Sequence, residues 1–525
     1  MSIRGPRSPS LRRLAQLFRI ARDADQTGAS SAEAVGKARE VSRRTFLGGM
    51  AAASALIVAP RVARAGRPPP KVDVGIVGGG LAGLQCAHDL GAAGLRPALY
   101  DASNRLGGRQ FSLRGTFPGQ VAERGGELID NLHKTMLGWV NRLGLTREDV
   151  TRTGGDEFYY FDGRLIPEAT IVEEYRAFVA AMRVDLRASS GAPTADAFNA
   201  ADVALDRLSL ADYLTSRGCG RYARKAIEEA YVAEYGRETG EQSSLNFLLF
   251  IHADRRSKFT PFGVFSDERF HVVEGNDAIA SGIAARLTRA PELEMRLEAV
   301  RKTSAGRVEL TFRNGNRCIV RTHDKVVLTI PFSVLRTVSL DASLALPAWK
   351  RTAIDSLGYG DNAKLMVGFQ GPYWGALGGT GASYSDLANH QATWETSPTT
   401  ATSEHAILTD YSGGVRGKNL SSNTQQETGK FLGDLERVMP GAAAHVKRTG
   451  GSYLAHLEHW PSNPLTRGSY TCYRPGQFTT IAGNEGKPVG NLLFAGEHTN
   501  SFYAWQGFME GALLSGIDAA AEILA

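Results

Sequence analysis

The feature that most constrains this chain is a glycine cluster at the end of an apolar run. Val72-Asp73-Val74-Gly75-Ile76-Val77 reads as a strand, and Gly78-Gly79-Gly80-Leu81-Ala82-Gly83 fits G-x-G-x-x-G at its carboxyl end. The spacing predicts a helix over 81–93 and a second strand over 94–100, closed by Asp101. Each part has a physical job. Gly78 and Gly80 allow a tight turn and close backbone approach, while Ala82 and Gly83 let the helix pack on the strand. The helix N-terminus offers free N–H groups to a pyrophosphate, and a carboxylate at the second strand's end accepts ribose hydroxyls. Together they form a dinucleotide-binding βαβ unit. Asp101 also disfavours a 2′-phosphate, because two anions repel.

The rest of the chain must supply the remainder of such a fold, and composition allows it: 525 residues, 42% hydrophobic and 22% charged, are ordinary for a large globular protein. The net charge of +6 is misleading, since residues 1–65 carry +8 and leave −2 on the body. No basic footprint for nucleic acid exists there. Instead, Ser42-Arg43-Arg44-Thr45-Phe46-Leu47, a Gly/Ala-rich run to Ala59 and Ala63-Arg64-Ala65 read as a twin-arginine signal peptide over 1–65 with an A-x-A cleavage site. Its apolar run of about 13 residues is shorter than the roughly 20 that span a bilayer. The expectation is a soluble periplasmic or secreted protein, handed over by the twin-arginine export machinery, with a linker at 66–71. Cys86, Cys219, Cys318 and Cys472 form no C-x-x-C pair or metal-spaced cluster, so buried thiols and no metal are expected.

Further motifs follow in order. After Asp101 come Ala102 and Arg105-Leu106-Gly107-Gly108-Arg109, then Glu123-Arg124-Gly125-Gly126-Glu127-Leu128; near the C-terminus stand Phe494-Ala495-Gly496-Glu497 and Gly507-Phe508-Met509-Glu510-Gly511-Ala512. With these in place the chain resembles the flavin amine oxidases, the family of monoamine, polyamine and L-amino acid oxidases. The resemblance implies an α/β protein in which a Rossmann-type FAD-binding domain (72–140, 268–340 and 480–525) is interleaved with an α+β substrate domain (141–267 and 341–479). The helical spacing of Leu210, Tyr213 and Leu214 makes 141–267 largely helical, and β-branched and aromatic residues in 341–479 point to a mixed sheet beneath that roof. It further implies that Gly108, Arg109, Gly125, Gly126, Glu127 and Leu128 join Gly78, Gly80, Ala82, Gly83, Asp101 and Ala102 around FAD. The Val300 backbone would lie against adenine, Glu497 near the ribityl chain, and Phe508 and Met509 at a helix N-terminus facing the flavin.

Amine oxidation needs a dry, orienting cavity more than a triad. The family pattern assigns that role to Lys364, Trp460, Tyr470 and Phe508, with Trp505 completing the wall. Ser469 stands where the monoamine oxidases carry a tethering cysteine, so FAD is expected to bind non-covalently. Leu128 replaces the arginine of the L-amino acid oxidases, whereas Asp130 and Glu234 are candidate substrate-binding acids. The reading favours a primary amine or polyamine, oxidised at C–N to an imine that hydrolyses to aldehyde or ketone plus ammonia or amine. Dioxygen, giving hydrogen peroxide, or a periplasmic redox protein would accept the electrons. L-amino acid oxidation, a flavin desaturase or isomerase, and a non-catalytic FAD-binding protein remain as alternatives, and a homodimer is admitted.

Overall fold

The predicted βαβ unit forms from β1 (Val74–Val77), α1 (Leu81–Ala92) and β2 (Ala98–Tyr100). Every residue of both strands is buried, which is why they are apolar throughout rather than alternating. β1 lies between β2 and β3 (Lys325–Leu328), and β3 pairs with β4 (Leu492–Phe494); all pairs are parallel, with Val326 opposite both Gly75 and Leu492. One sheet is thus assembled from three distant parts of the chain. The C-terminal helix α2 (Met509–Leu524) packs along α1 in a shared apolar core that includes Leu84, Leu90, Leu513 and Ile523.

The computed structural model describes residues 72–152, 154–251, 268–502 and 505–525, with part of 17–37. The twin-arginine stretch, its apolar run, the A-x-A site and the linker at 66–71 lie outside the described residues.

A second, antiparallel sheet is made by Arg296–Lys302, Val308–Asn314 and Arg317–His323, with Ser339–Leu340 at its edge. The third sheet is the largest and is mixed. Its order is Ala455–His459, Ala363–Phe369, Ala406–Ser412, Ala392–Glu395, Gly379–Ser385, Asp156–Phe161 and Arg164–Leu165. The last two strands come from the stretch expected to be largely helical. Their aromatic run Phe158-Tyr159-Tyr160-Phe161 suits a half-buried pleated surface, and Tyr159 stacks on Tyr384 of the next strand at 5.1 Å.

Helices Glu168–Ala188, Ala200–Arg207, Leu210–Ser216, Arg221–Tyr235 and Ser244–Ile251 roof this sheet. Arg221–Tyr235 lies against it through Ile227, Ala230 and Tyr231, spaced three and four apart and fully buried. Among the described residues no helix is long and apolar enough to cross a membrane. Cys86 and Cys472 are buried thiols as expected, but Cys318 is exposed on its strand.

Candidate active site

A cavity of about 350 Å3 runs from the carboxyl ends of β1 and β2 to the mixed sheet. At its outer end the Asp101 carboxylate accepts the Gly79 N–H at 2.5 Å and the Ser103 N–H at 2.7 Å, which fixes it beside the glycine turn. Burial pushes this carboxyl above its ordinary value. No side chain caps the first turn of α1 or of α2, so neither helix spends its N-terminal amides on its own cap residue. Midway, Arg109 bridges the Glu497 carboxylate and the Ser469 carbonyl, both at 2.7 Å.

The inner end is built on a cross-strand row. Lys364 stands directly opposite Tyr411 on one neighbouring strand and Glu458 on the other, so period-2 geometry aims all three at the cavity. The Lys364 ammonium has three donors and fills them: Glu127 at 2.6 Å, the Gly125 carbonyl at 2.8 Å and the Glu123 carbonyl at 3.0 Å. The other Glu127 oxygen accepts the Trp394 indole N–H at 2.9 Å. Trp394 meets Tyr411 edge-on, Tyr411 shares a hydroxyl contact of 3.0 Å with Tyr470, and the Tyr470 hydroxyl donates to the Glu234 carbonyl. One continuous chain of contacts therefore links the buried lysine to the far wall. Beneath it, burial pushes the Glu123 carboxyl up to about 7.

The glycine pair after Glu123 has a steric reason. A Cβ on Gly125 would fall 1.9 Å from the Arg109 carbonyl, and one on Gly126 would fall 2.9 Å from the Met509 sulfur. The backbone clash bars any side chain at Gly125, whereas at Gly126 the Met509 side chain would have to move. Trp460, whose indole donates to the Arg124 carbonyl at 2.9 Å, closes the same corner, and Arg124 itself is ion-paired with Glu458.

Of the residues singled out from sequence, Gly78, Gly80, Ala82, Asp101, Ala102, Gly108, Arg109, Gly125, Gly126, Glu127, Leu128, Lys364, Trp460, Tyr470, Glu497, Phe508 and Met509 line this one cavity. Five do not. Gly83 sits behind the turn, where its missing Cβ admits the Gly78 carbonyl. Val300 is buried inside the antiparallel sheet, its carbonyl taken by the Asp341 N–H. Trp505 forms a second row, edge-on to Phe508 at 5.5 Å. Asp130 is 1% exposed and turned away: it accepts the Glu268 N–H at 2.6 Å and lies 3.3 Å from His133, which burial pushes down to about 3. Glu234 is fully buried and offers the site its carbonyl rather than its carboxylate. Trp394, Tyr411 and Glu458 were missed, since no local motif marks them and only strand pairing turns them inward, while Arg124 stood within the Glu123–Leu128 motif without being singled out.

A nucleotide-type cradle opening into an aromatic chamber with a buried lysine is the arrangement of a flavin-dependent oxidoreductase. The comparisons sharpen this class to a family. The sequence model of the flavin containing amine oxidoreductase family matches residues 81–524, and the chain belongs to that family. It is 23% identical over 464 residues to an L-amino-acid oxidase of Siganus canaliculatus, covering 85% of this chain and 84% of that protein. It is 23% identical over 500 residues to the nicotine dehydrogenase of Pseudomonas putida (strain DSM 28022 / S16), covering 92% and 97%. Its fold is that of cyclohexylamine oxidase from Brevibacterium oxydans IH-35A, with a TM-score of 0.71 at 22% identity over 87% of this chain and 99% of that one. The chain is therefore an enzyme, a flavin-dependent amine oxidase.

The cradle fits its flavin: a Cβ on Gly80 would meet nothing within 4 Å, leaving the approach to the uncapped start of α1 open. Asp101→Ala is expected to weaken flavin retention about tenfold, the scale of one hydrogen bond to a charged group. The ratio of flavin to protein absorbance after gel filtration measures it, and unchanged retention would contradict the ribose-binding role.

Proposed function

We propose that this chain binds FAD non-covalently and oxidises a primary amine with an apolar body to the imine, which water hydrolyses to an aldehyde or ketone and ammonia. The observation that carries the substrate choice is the pairing of charge on the cavity wall. Among the described residues, Lys364 is matched by Glu127, Arg109 by Glu497 and Arg124 by Glu458, while Arg105 spends its guanidinium on the Leu106, Gly108 and Gln110 carbonyls. An α-carboxylate needs an uncommitted cation and a second ammonium needs an uncommitted anion. Trp394, Tyr411, Trp460, Tyr470 and Phe508 offer instead ring faces and apolar surface.

Bound FAD would accept a hydride equivalent from the carbon next to the amine nitrogen. Asp101 would hold the ribose hydroxyls and the start of α1 the pyrophosphate, with Arg109 and Glu497 along the linking chain and the start of α2 near the flavin ring. Ser469 carries no thiol to form a tether, and its hydroxyl is engaged with the Asn362 side chain at 2.5 Å. Tyr470 and Phe508 orient the neutral amine, and the surrounding aromatic wall excludes water. Dioxygen is the proposed acceptor: two electrons and two protons leave the amine and appear as hydrogen peroxide. Export through the twin-arginine route to the periplasm belongs to the same reading and rests on the leader's residues alone.

Anaerobic mixing with primary monoamines, polyamines and L-amino acids tests it. Monoamines should bleach the absorbance at about 450 nm where oxidised flavin absorbs; bleaching by L-amino acids alone would overturn the substrate assignment. Acid precipitation should leave all of the flavin in the supernatant, and colour retained in the pellet would overturn non-covalent binding.

A further inference from the structure

The described part of 17–37 packs on the helical roof. Leu17, Ile20, Ala21 and Ala24 recur at the three- and four-residue spacing of one helix face, and all four are buried, with Leu17, Ala21 and Ala24 at 0% exposure. Leu17, Ile20, Ala21 and Val35 belong to the same apolar cluster as Ile171, Val172 and Tyr175 of the Glu168–Ala188 helix.

Polar contacts fix the register. Arg176 of that helix donates to the Ala29 carbonyl at 3.0 Å and the Ala24 carbonyl at 3.3 Å, and the Ser31 hydroxyl donates to Glu173. A cation on the carbonyls that end one helical piece also complements its dipole. The next piece begins with its own reciprocal cap, Ser30 with Glu33: the Ser30 N–H donates to the Glu33 carboxylate at 3.0 Å and the Glu33 N–H to the Ser30 hydroxyl at 3.2 Å.

We propose that 17–37 is a docked and separable element: it recognises the Glu168–Ala188 helix through the Leu17 stripe and the Arg176 clamp. A chain cut within 38–71, as the twin-arginine reading expects after Ala65, therefore keeps this segment as a second, non-covalent chain over the roof.

The test uses the full-length protein with a specific protease site inserted after Pro70. After cutting, gel filtration and intact mass should find the N-terminal fragment eluting with the body at one to one. Leu17→Asp with Ala21→Asp should abolish co-elution, and the milder Arg176→Ala should speed release at least tenfold while the body keeps its cooperative melt. Release of the unsubstituted fragment from a folded body overturns the proposal. So does co-elution that survives the double substitution, because the stripe would then not be the contact, and so does loss of the cooperative melt on cutting. None of these readouts depends on amine turnover.

Discussion

Replacing Lys364 with methionine should destabilise the fold by about 3–5 kcal/mol, because it strands the Glu127 carboxylate in a buried wall without its cation. Both side chains are only 6% exposed, so water cannot take over the lysine's role. The ammonium also ties together three parts of the turn below it, the Glu123 and Gly125 carbonyls and Glu127 itself, so its loss loosens the glycine pair that passes between Arg109 and Met509. Denaturant unfolding measures the cost. Adding Glu127→Gln to the Lys364→Met protein should recover part of it, since the amide removes the unpaired charge while its oxygen still accepts the Trp394 N–H. A double variant as unstable as the sum of the two singles would show that the two groups act independently. Amine turnover should fall about a hundredfold or more in Lys364→Met, the scale of a lost polar group at a reacting centre, with the flavin spectrum retained; full turnover would show that the chamber works without the lysine.

Two glycines of one motif should fail in opposite ways. Alanine at Gly83 places a Cβ 1.9 Å from the Gly78 carbonyl and 3.0 Å from the Thr329 hydroxyl that hydrogen-bonds that carbonyl. Backbone cannot yield as a flexible side chain does, so Gly83→Ala should cost about 3 kcal/mol or more in the apoprotein. Alanine at Gly80 meets nothing within 4 Å, and its φ of −75° suits any residue. Gly80→Ala should therefore leave apoprotein stability within about 0.5 kcal/mol, as substitutions without a clash do, yet lower flavin content at least tenfold by filling the approach to the helix N-terminus. Thermal melts of the apoproteins and flavin-to-protein ratios of the holoproteins separate the two. Equal stability losses at both positions would contradict the packing described for α1.

Both pairs of variants divide along the line between what is local and what is not. The βαβ unit was legible because its signals act over short range: an apolar strand, glycines where backbone must approach backbone, and an acid at a fixed distance all lie within 72–101. Lys364, Trp460, Tyr470 and Phe508 became candidates through the family resemblance that these motifs carry. What stands beside them did not. Lys364 and Glu127 are 237 residues apart, and Trp394 and Glu127 are 267 apart.

Strand register decides such meetings, because a shift of one residue turns every side chain to the opposite face. Tyr411 enters the cavity only because it pairs opposite Lys364. Tertiary packing likewise decides where other candidates lie, Val300 within a sheet and Asp130 beside Glu268 and His133. By itself the sequence determined the nucleotide cradle, the family and the residue types around the chamber. Tertiary structure alone decided which charges neutralise one another on its wall, since that balance is set by contacts between strands and loops hundreds of residues apart, and on this balance rests the proposed preference for an apolar amine over an amino acid.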